Sequence, residues 1–150
     1  MNYDSYSETA AHIKRVVDLL QTFCKALIEQ GVQHDQSKLK DPEKSFFDTY
    51  TPELKGTTYG SDTYLELLKK LQPALDHHFA ENSHHPEHFK NGIAGMTLLD
   101  IIELFFDWKA ASERHSTGNF KKSLEINKKR FNMSDDLVSI FENTRQKLGL

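Results

Sequence analysis

The sequence has little cysteine and no long apolar run. These two features argue against a disulfide-stabilised protein and against a membrane-spanning one. Among its 150 residues there is one cysteine, Cys24, so no internal disulfide can form and the composition fits a reducing cytoplasm. No apolar stretch approaches the roughly 20 residues needed to span a bilayer. The N-terminus also lacks the basic and apolar regions of a signal peptide. We therefore expect a cytoplasmic protein with no membrane-spanning segment.

Neither sign of charge dominates the chain. The formal net charge is −3 with histidines neutral, and acidic and basic residues are interspersed. Such a balance predicts no extended basic surface for nucleic acid. A chain of this length with 37 % hydrophobic residues is sufficient for one core, so we predict a single domain over residues 1–150. A homodimer is left open.

The apolar pattern is helical nearly throughout, and no segment has the alternation of a strand. A buried apolar stripe is expected between Ser7 and Gly31, with His12 at its edge. Proline is expected to kink or split a helix that begins at Ser61. The predicted helices extend over 7–31, 41–50, 61–80 with an interruption at Pro73, 97–111, 120–131 and 134–148, with loops over 51–60 and 81–95.

Histidine is concentrated in one part of the chain. Five of the eight histidines fall within residues 77–88, and another stands beside a carboxylate in the pair His34-Asp35. Imidazole and carboxylate are the standard ligands of divalent zinc, manganese, iron and nickel. A solvated surface gains little from such a cluster. The sequence therefore predicts a metal site that holds more than one ion.

The spacing suggests how the ligands divide between two ions. Asp35 could bridge both ions, with His34 and His12 completing one coordination sphere and the later histidines the other. On a regular helix only one of His77 and His78 can face inward, and the spacing to Asn82 favours His78 slightly. Asp107 lies on a strongly apolar helix, where a buried carboxylate requires compensation and a metal ion can supply it.

The order of these residues resembles a known superfamily. His12, the pair His34-Asp35 and Asp107 follow one another as do the ligands of the HD-domain metal-dependent phosphohydrolases. The patterns His-Asp-x-x-Lys and His-His-x-Glu are also similar to binuclear HD proteins of the HD-GYP type. With Asn-x-His-His-Pro-Glu and Glu-x-x-x-Asp-Trp, the chain resembles a small family of stand-alone HD-like proteins from bacteria and phages. The Gly-Tyr-Pro signature is absent, so cyclic-di-GMP is not the expected substrate.

The resemblance extends over roughly residues 12 to 111 and implies both a fold and a reaction. The expected fold is an all-α, single-domain HD-like bundle of about six to seven helices, on which residues 119–148 pack. The expected activity is hydrolysis of a nucleotide or related phosphate ester by a metal-activated water at a binuclear His/Asp centre. The implied ligands of the two divalent ions (Fe, Mn, Ni or Zn) are His12, His34, Asp35, His78, His84, His85 and Asp107.

The same resemblance implies roles for residues around the metal ions. Lys38 is expected to bind a phosphate oxygen and to stabilise the charge that develops on it. Glu87 or Glu103 could accept or relay a proton. Asn82 could orient the substrate or a histidine, and His77 is a candidate for a contact with the substrate.

Two other functions fit the same ligand types. A di-iron HD-like oxygenase is one, because histidine and carboxylate suit iron as well as zinc or manganese. A metal-stabilised module that binds a nucleotide without turning it over is the other. The metal content and the turnover of phosphate esters would separate the three.

Overall fold

The computed structural model describes residues 4–57, 61–114 and 118–150. Within these ranges the protein is helical and contains no strand, which confirms the all-α prediction of about six to seven helices. None of the described helices has the length and apolar character required to cross a membrane. The helices are α1 (Tyr6–Gln33), α2 (Glu43–Lys55), α3 (Asp62–Glu81), α4 (Leu98–Glu113), α5 (Phe120–Phe131) and α6 (Asp135–Leu148).

The chain divides into two compact units, Met1–His34 and Asp35–Leu150. The first unit consists essentially of α1, which continues through Gly31 instead of stopping there. No residue of α1 is buried, and Ile13 is 58 % exposed, so the prediction of a buried stripe is wrong for the structure as described. Cys24 is likewise exposed.

In the second unit, α2 packs against α3, and both helices continue through a proline. Pro52 lies within α2, which extends to Lys55, so the predicted helix end near Tyr50 is wrong. Residues 58–60 of the predicted loop lie outside the described part of the chain. Pro73 does not split α3. A proline removes one backbone hydrogen bond, and the burial of Leu71 and Ala74 on either side of Pro73 offsets that loss.

The last three helices share an apolar core. Phe105 of α4 makes edge contacts with Phe120 of α5 and Phe141 of α6, with ring centroids 5.5 and 5.2 Å apart. Asn119 and Ser134 cap α5 and α6 with their side chains, and both helices have the predicted bounds. The buried members of this core are Leu104, Phe105, Trp108, Phe120, Leu124, Met133 and Phe141.

The segment between α3 and α4 carries His84 and His85 and contains two short 3₁₀ helices, Pro86–His88 and Gly92–Gly95. Thr97 and Asp100 form a capping box at the start of α4. The buried Asp100 also accepts a hydrogen bond of 2.6 Å from Ser83 Oγ. This bond fastens the backbone next to His84 to the first turn of α4.

We expect Leu104→Ala to lower the free energy of unfolding by about 2–5 kcal/mol, because it removes a fully buried side chain from the core. Leu98 lies on the same helix but is 65 % exposed, so Leu98→Ala serves as the matched control, with an expected change of about 0.5 kcal/mol or less. Urea unfolding followed by circular dichroism measures both. Equal losses in the two variants would contradict this description of the core.

Candidate metal centre

Four side chains of the second unit bring ligand atoms together. Asp35, His78, His84 and His85 each offer one donor atom, and these atoms all lie within 4.8 Å of one another. Asp35 Oδ1 is 3.2 Å from His78 Nε2 and 3.6 Å from His84 Nε2. His78 Nε2 is 2.9 Å from His85 Nε2. We call these four residues the donor cluster.

The orientation of His78 is set from behind by a buried carboxylate. Glu43 is fully buried at the start of α2, and its Oε2 is 2.9 Å from His78 Nδ1. A carboxylate accepts hydrogen bonds, so Nδ1 carries a proton and Nε2 is the nitrogen that faces the cluster. Asn82 Nδ2 lies 3.0 Å from the same Nδ1, but its two N–H groups are taken by Ser37 Oγ and the carbonyl of His78.

The same carboxylate also holds a second histidine. Glu43 Oε1 is 2.8 Å from Nδ1 of His77, whose side chain is 40 % exposed. Burial raises the pKa of Glu43, but hydrogen bonds from His77 and Ser37 and the charge of His78 outweigh it, so the pKa lies below its usual value. Glu43 is therefore an ionised acceptor at neutral pH. Of the two adjacent histidines, His78 belongs to the cluster and His77 does not.

His84 is oriented in the same way from α4. Its side chain is nearly fully buried, and Glu103 Oε1 lies 3.1 Å from its Nδ1. Its Nε2 therefore faces Asp35. A histidine that donates its outer N–H to a carboxylate while its other nitrogen faces inward is the usual arrangement behind a protein metal ion.

The carboxylate of the cluster is placed by a left-handed residue. Asp35 has φ of 57°, a conformation that aspartate and asparagine adopt more readily than other non-glycine residues. It precedes the 3₁₀ helix Gln36–Leu39, and Lys38 Nζ donates to Asp35 Oδ2 at 2.7 Å. Oδ2 thus contacts a cation while Oδ1 faces the histidines. Lys38 also lies 5.7 Å from the centre of the Phe47 ring.

His85 completes the cluster as a neutral imidazole. Burial, together with the positive charge that His84 and His78 carry when protonated, lowers its pKa to about 3. The nearby carboxylate of Asp107 acts in the opposite direction and raises the pKa. A neutral ring is the form that can offer a lone pair to a metal ion.

The donor cluster fits a divalent metal ion. Two imidazole nitrogens and a carboxylate oxygen face each other within a partly buried space, and a cation between them replaces repulsion with attraction. Imidazole nitrogen and carboxylate oxygen are donors that zinc, iron, manganese and nickel accept. The buried carboxylates behind His78 and His84 keep these donors oriented.

Comparison with protein families places the chain in a group. The model of a family of unknown function, DUF5662, matches residues 1–147. The chain belongs to DUF5662. No curated protein and no solved structure matches it.

In this DUF5662 member, two other predicted residues, Asn82 and Glu87, are not members of the donor cluster. The Asn82 side chain caps the end of α3 and touches His78, so it orients a histidine. Glu87 lies two residues after His85 and forms an ion pair of 2.6 Å with Arg130, near the end of α5. A catalytic role for Glu87 stays a prediction.

The remaining predicted ligands lie outside the donor cluster. Asp107 is half-buried on α4, one turn after Glu103. Its negative charge raises the pKa of His85. His12 and His34 belong to the first unit, where His12 is exposed on α1 and His34 ends that helix. Ligation by these three residues, and with it a second ion, stays a prediction.

Sequence reasoning assigned Glu43 no role, although the second helix could bring this residue to the site. Its place in the first turn of a helix already accounts for an acidic residue there, so nothing local singles it out. The partners of Glu43, His77 and His78, lie on α3 and meet it only because α2 packs against α3.

We expect Glu43→Ala to lower the free energy of unfolding by about 3 kcal/mol, because it leaves a buried histidine N–H without its acceptor. Glu53 is exposed on the same helix, so Glu53→Ala is the control, with an expected change within about 0.5 kcal/mol. Both values come from urea unfolding of metal-free protein at neutral pH. A Glu43→Ala loss as small as that of Glu53→Ala would mean that this carboxylate does not hold the cluster.

Proposed function

We propose that this protein is a metal-dependent phosphohydrolase that acts on a nucleotide or a related phosphate ester. The observation that carries the proposal is the donor cluster, in which Asp35, His78 and His84 converge while Glu43, Glu103 and Lys38 hold them from outside. The proposed cofactor is at least one divalent ion of the zinc, iron, manganese or nickel type. When bound there, such an ion supplies Lewis-acid polarisation of a phosphoryl oxygen and lowers the pKa of a bound water.

The residues around the cluster suit a phosphorylated substrate. Lys38 bonds to Asp35 while about a third of its side chain stays exposed, so its ammonium group can reach an incoming phosphate oxygen. Its positive charge offsets the charge that builds up on that oxygen during hydrolysis. The proposed setting is the cytoplasm, with a small phosphorylated molecule as the partner. A homodimer is compatible with these features.

We expect Asp35→Ala to lose bound metal and phosphate-ester hydrolysis together, because it removes the only carboxylate of the donor cluster. The metal is measured by plasma mass spectrometry on untagged protein purified without chelator. Asp48→Ala is the control, since Asp48 is an exposed aspartate of α2 that pairs with Lys44. Full metal occupancy in Asp35→Ala would refute the assignment of Asp35 as a ligand.

We expect Lys38→Ala to keep its metal and to hydrolyse phosphate esters about 10²-fold more slowly, because a cation at the phosphoryl group is lost. The measurement is kcat on a panel of nucleotides and chromogenic phosphate esters, with Lys40→Ala as a control at an exposed neighbouring lysine. Unchanged kinetics would leave Lys38 with a purely local role at Asp35. If wild-type protein instead retains iron with a visible absorption band and hydrolyses none of these esters, the oxygenase alternative replaces the proposal.

A further inference from the structure

A cavity of about 930 Å³ lies along α3, outside the donor cluster. Its lining combines residues of α3 between Tyr64 and Ala80 with Glu87, His88 and Arg130. None of the four residues of the donor cluster lines it. The volume falls within the range of small-molecule sites in proteins, roughly 300–1,000 Å³. We call this space the α3 cavity.

The α3 cavity borders the candidate metal centre. Phe79 lines the cavity, and the centroid of its ring lies 5.0 Å from that of His85, a member of the donor cluster. His88 also lines the cavity and donates a hydrogen bond of 3.0 Å to the backbone carbonyl of Phe79. This bond fastens the segment after His85 to the last turns of α3. A molecule with a phosphate at the donor cluster can therefore extend into the cavity.

Two adjacent faces of α3 serve the two sites. The buried face has a spacing of three or four residues and consists of Leu67, Leu71, Ala74 and His78. The cavity face has the same spacing and is formed by Leu65, Leu68, Gln72, Leu75 and Phe79. Because successive positions of a helix are rotated by about 100°, His78 and Phe79 stand on neighbouring faces. The helix thus holds a metal donor and the cavity wall in a fixed relation.

The lining offers both apolar surface and hydrogen-bonding groups. Leu65, Leu68 and Leu75 supply the apolar part, and Leu65 is 48 % exposed. Between them along the helix, Gln72 Nε2 donates a hydrogen bond of 2.6 Å to Asp76 Oδ1. This bond leaves Gln72 its carbonyl and a second N–H, and leaves Asp76 its other carboxylate oxygen. The pair can therefore both donate to a bound molecule and accept from it.

The other charged groups of the lining compensate each other. Arg130 donates to Glu87 Oε1 at 2.6 Å, so the two charges are matched. Asp76, in contrast, is bonded to the neutral amide of Gln72. A ligand group that donates hydrogen bonds is thus favoured beside Asp76, and a further acceptor there is disfavoured.

We propose that the α3 cavity binds the base of a nucleotide whose phosphate lies at the donor cluster, and that Asp76 accepts a hydrogen bond from an amino group of that base. A nucleobase has flat apolar faces and hydrogen-bonding edges. The lining supplies leucines and an aromatic ring for the faces, and Gln72 with Asp76 for the edge. This inference rests on the proposed function and narrows its substrate class to nucleotides with an amino-bearing base.

Other ligand classes match the lining less well. A carboxylate accepts from the amino group of cytosine, and glutamine pairs with the amino group and ring nitrogen of adenine. A keto group in the same place presents a second acceptor to Asp76, and the two repel. A hydrocarbon tail would remove water from Asp76 without supplying a donor in its place.

Titration of ¹⁵N-labelled, metal-free protein with nucleosides tests the cavity by itself. Adenosine should shift the amide signals of residues 64–80 and bind at least about 5-fold more tightly than inosine, in which a keto group replaces the amino group. Cytidine and uridine form a second matched pair with the same expected order. Adenosine shifts confined to other residues, or equal binding of adenosine and inosine to wild-type protein, overturn the inference.

A variant and its control assign the preference to one carboxylate. Asp76→Ala should lose the preference for adenosine over inosine, because it removes the proposed acceptor. Glu66→Ala should keep it, since Glu66 is an exposed acidic residue of α3 outside the lining. The amide spectra establish that both variants are folded. A preference unchanged in Asp76→Ala overturns the inference.

A further titration connects the cavity to the metal centre. In zinc-loaded protein, the non-hydrolysable phosphonate analogue of AMP should bind at least about 10-fold more tightly than adenosine, because its phosphonate adds contacts at the metal and Lys38. Equal affinities would mean that the cavity does not serve the metal centre, and would overturn the inference. Failure of wild-type protein to bind zinc refutes the proposed function instead, whatever the nucleosides do in metal-free protein. The two failures are therefore distinguishable.

Discussion

Two buried carboxylates, Glu43 and Glu103, determine how the candidate metal centre is arranged. A carboxylate inside a protein is costly unless it is paired and hydrogen-bonded, and each of these is paired with the outer nitrogen of a histidine. The pairing orients the rings of His78 and His84 and turns their Nε2 atoms toward Asp35. The geometry of the centre is thus set before any ligand arrives, so little ordering remains for an ion to impose.

The parts of the second unit contribute to this arrangement in different ways. The packing of α2 against α3 brings Glu43 to His78, although the two residues are distant in sequence. The core of α4, α5 and α6 holds the helix that presents Glu103. Between α3 and α4, the bond from Ser83 to Asp100 anchors the segment that carries His84. Helices α5 and α6 therefore support the site by packing on α4.

The four residues of the donor cluster differ in how firmly neighbouring groups hold them. His78 and His84 are held by buried carboxylates, Asp35 by the more exposed Lys38, and His85 by ring contacts and a hydrogen bond to His78. Donors that are fixed from behind suit the retention of an ion.

The sequence alone determined the features that depend on neighbouring residues. Caps fixed the limits of α5 and α6, and the patterns around Asp35, His84 and His85 indicated a metal site, because caps and short motifs act within a few residues. Only the tertiary structure decided that His78 and not His77 joins the cluster, and that Glu43 stands behind it. Those outcomes depend on the packing of α2 against α3, which no local pattern encodes.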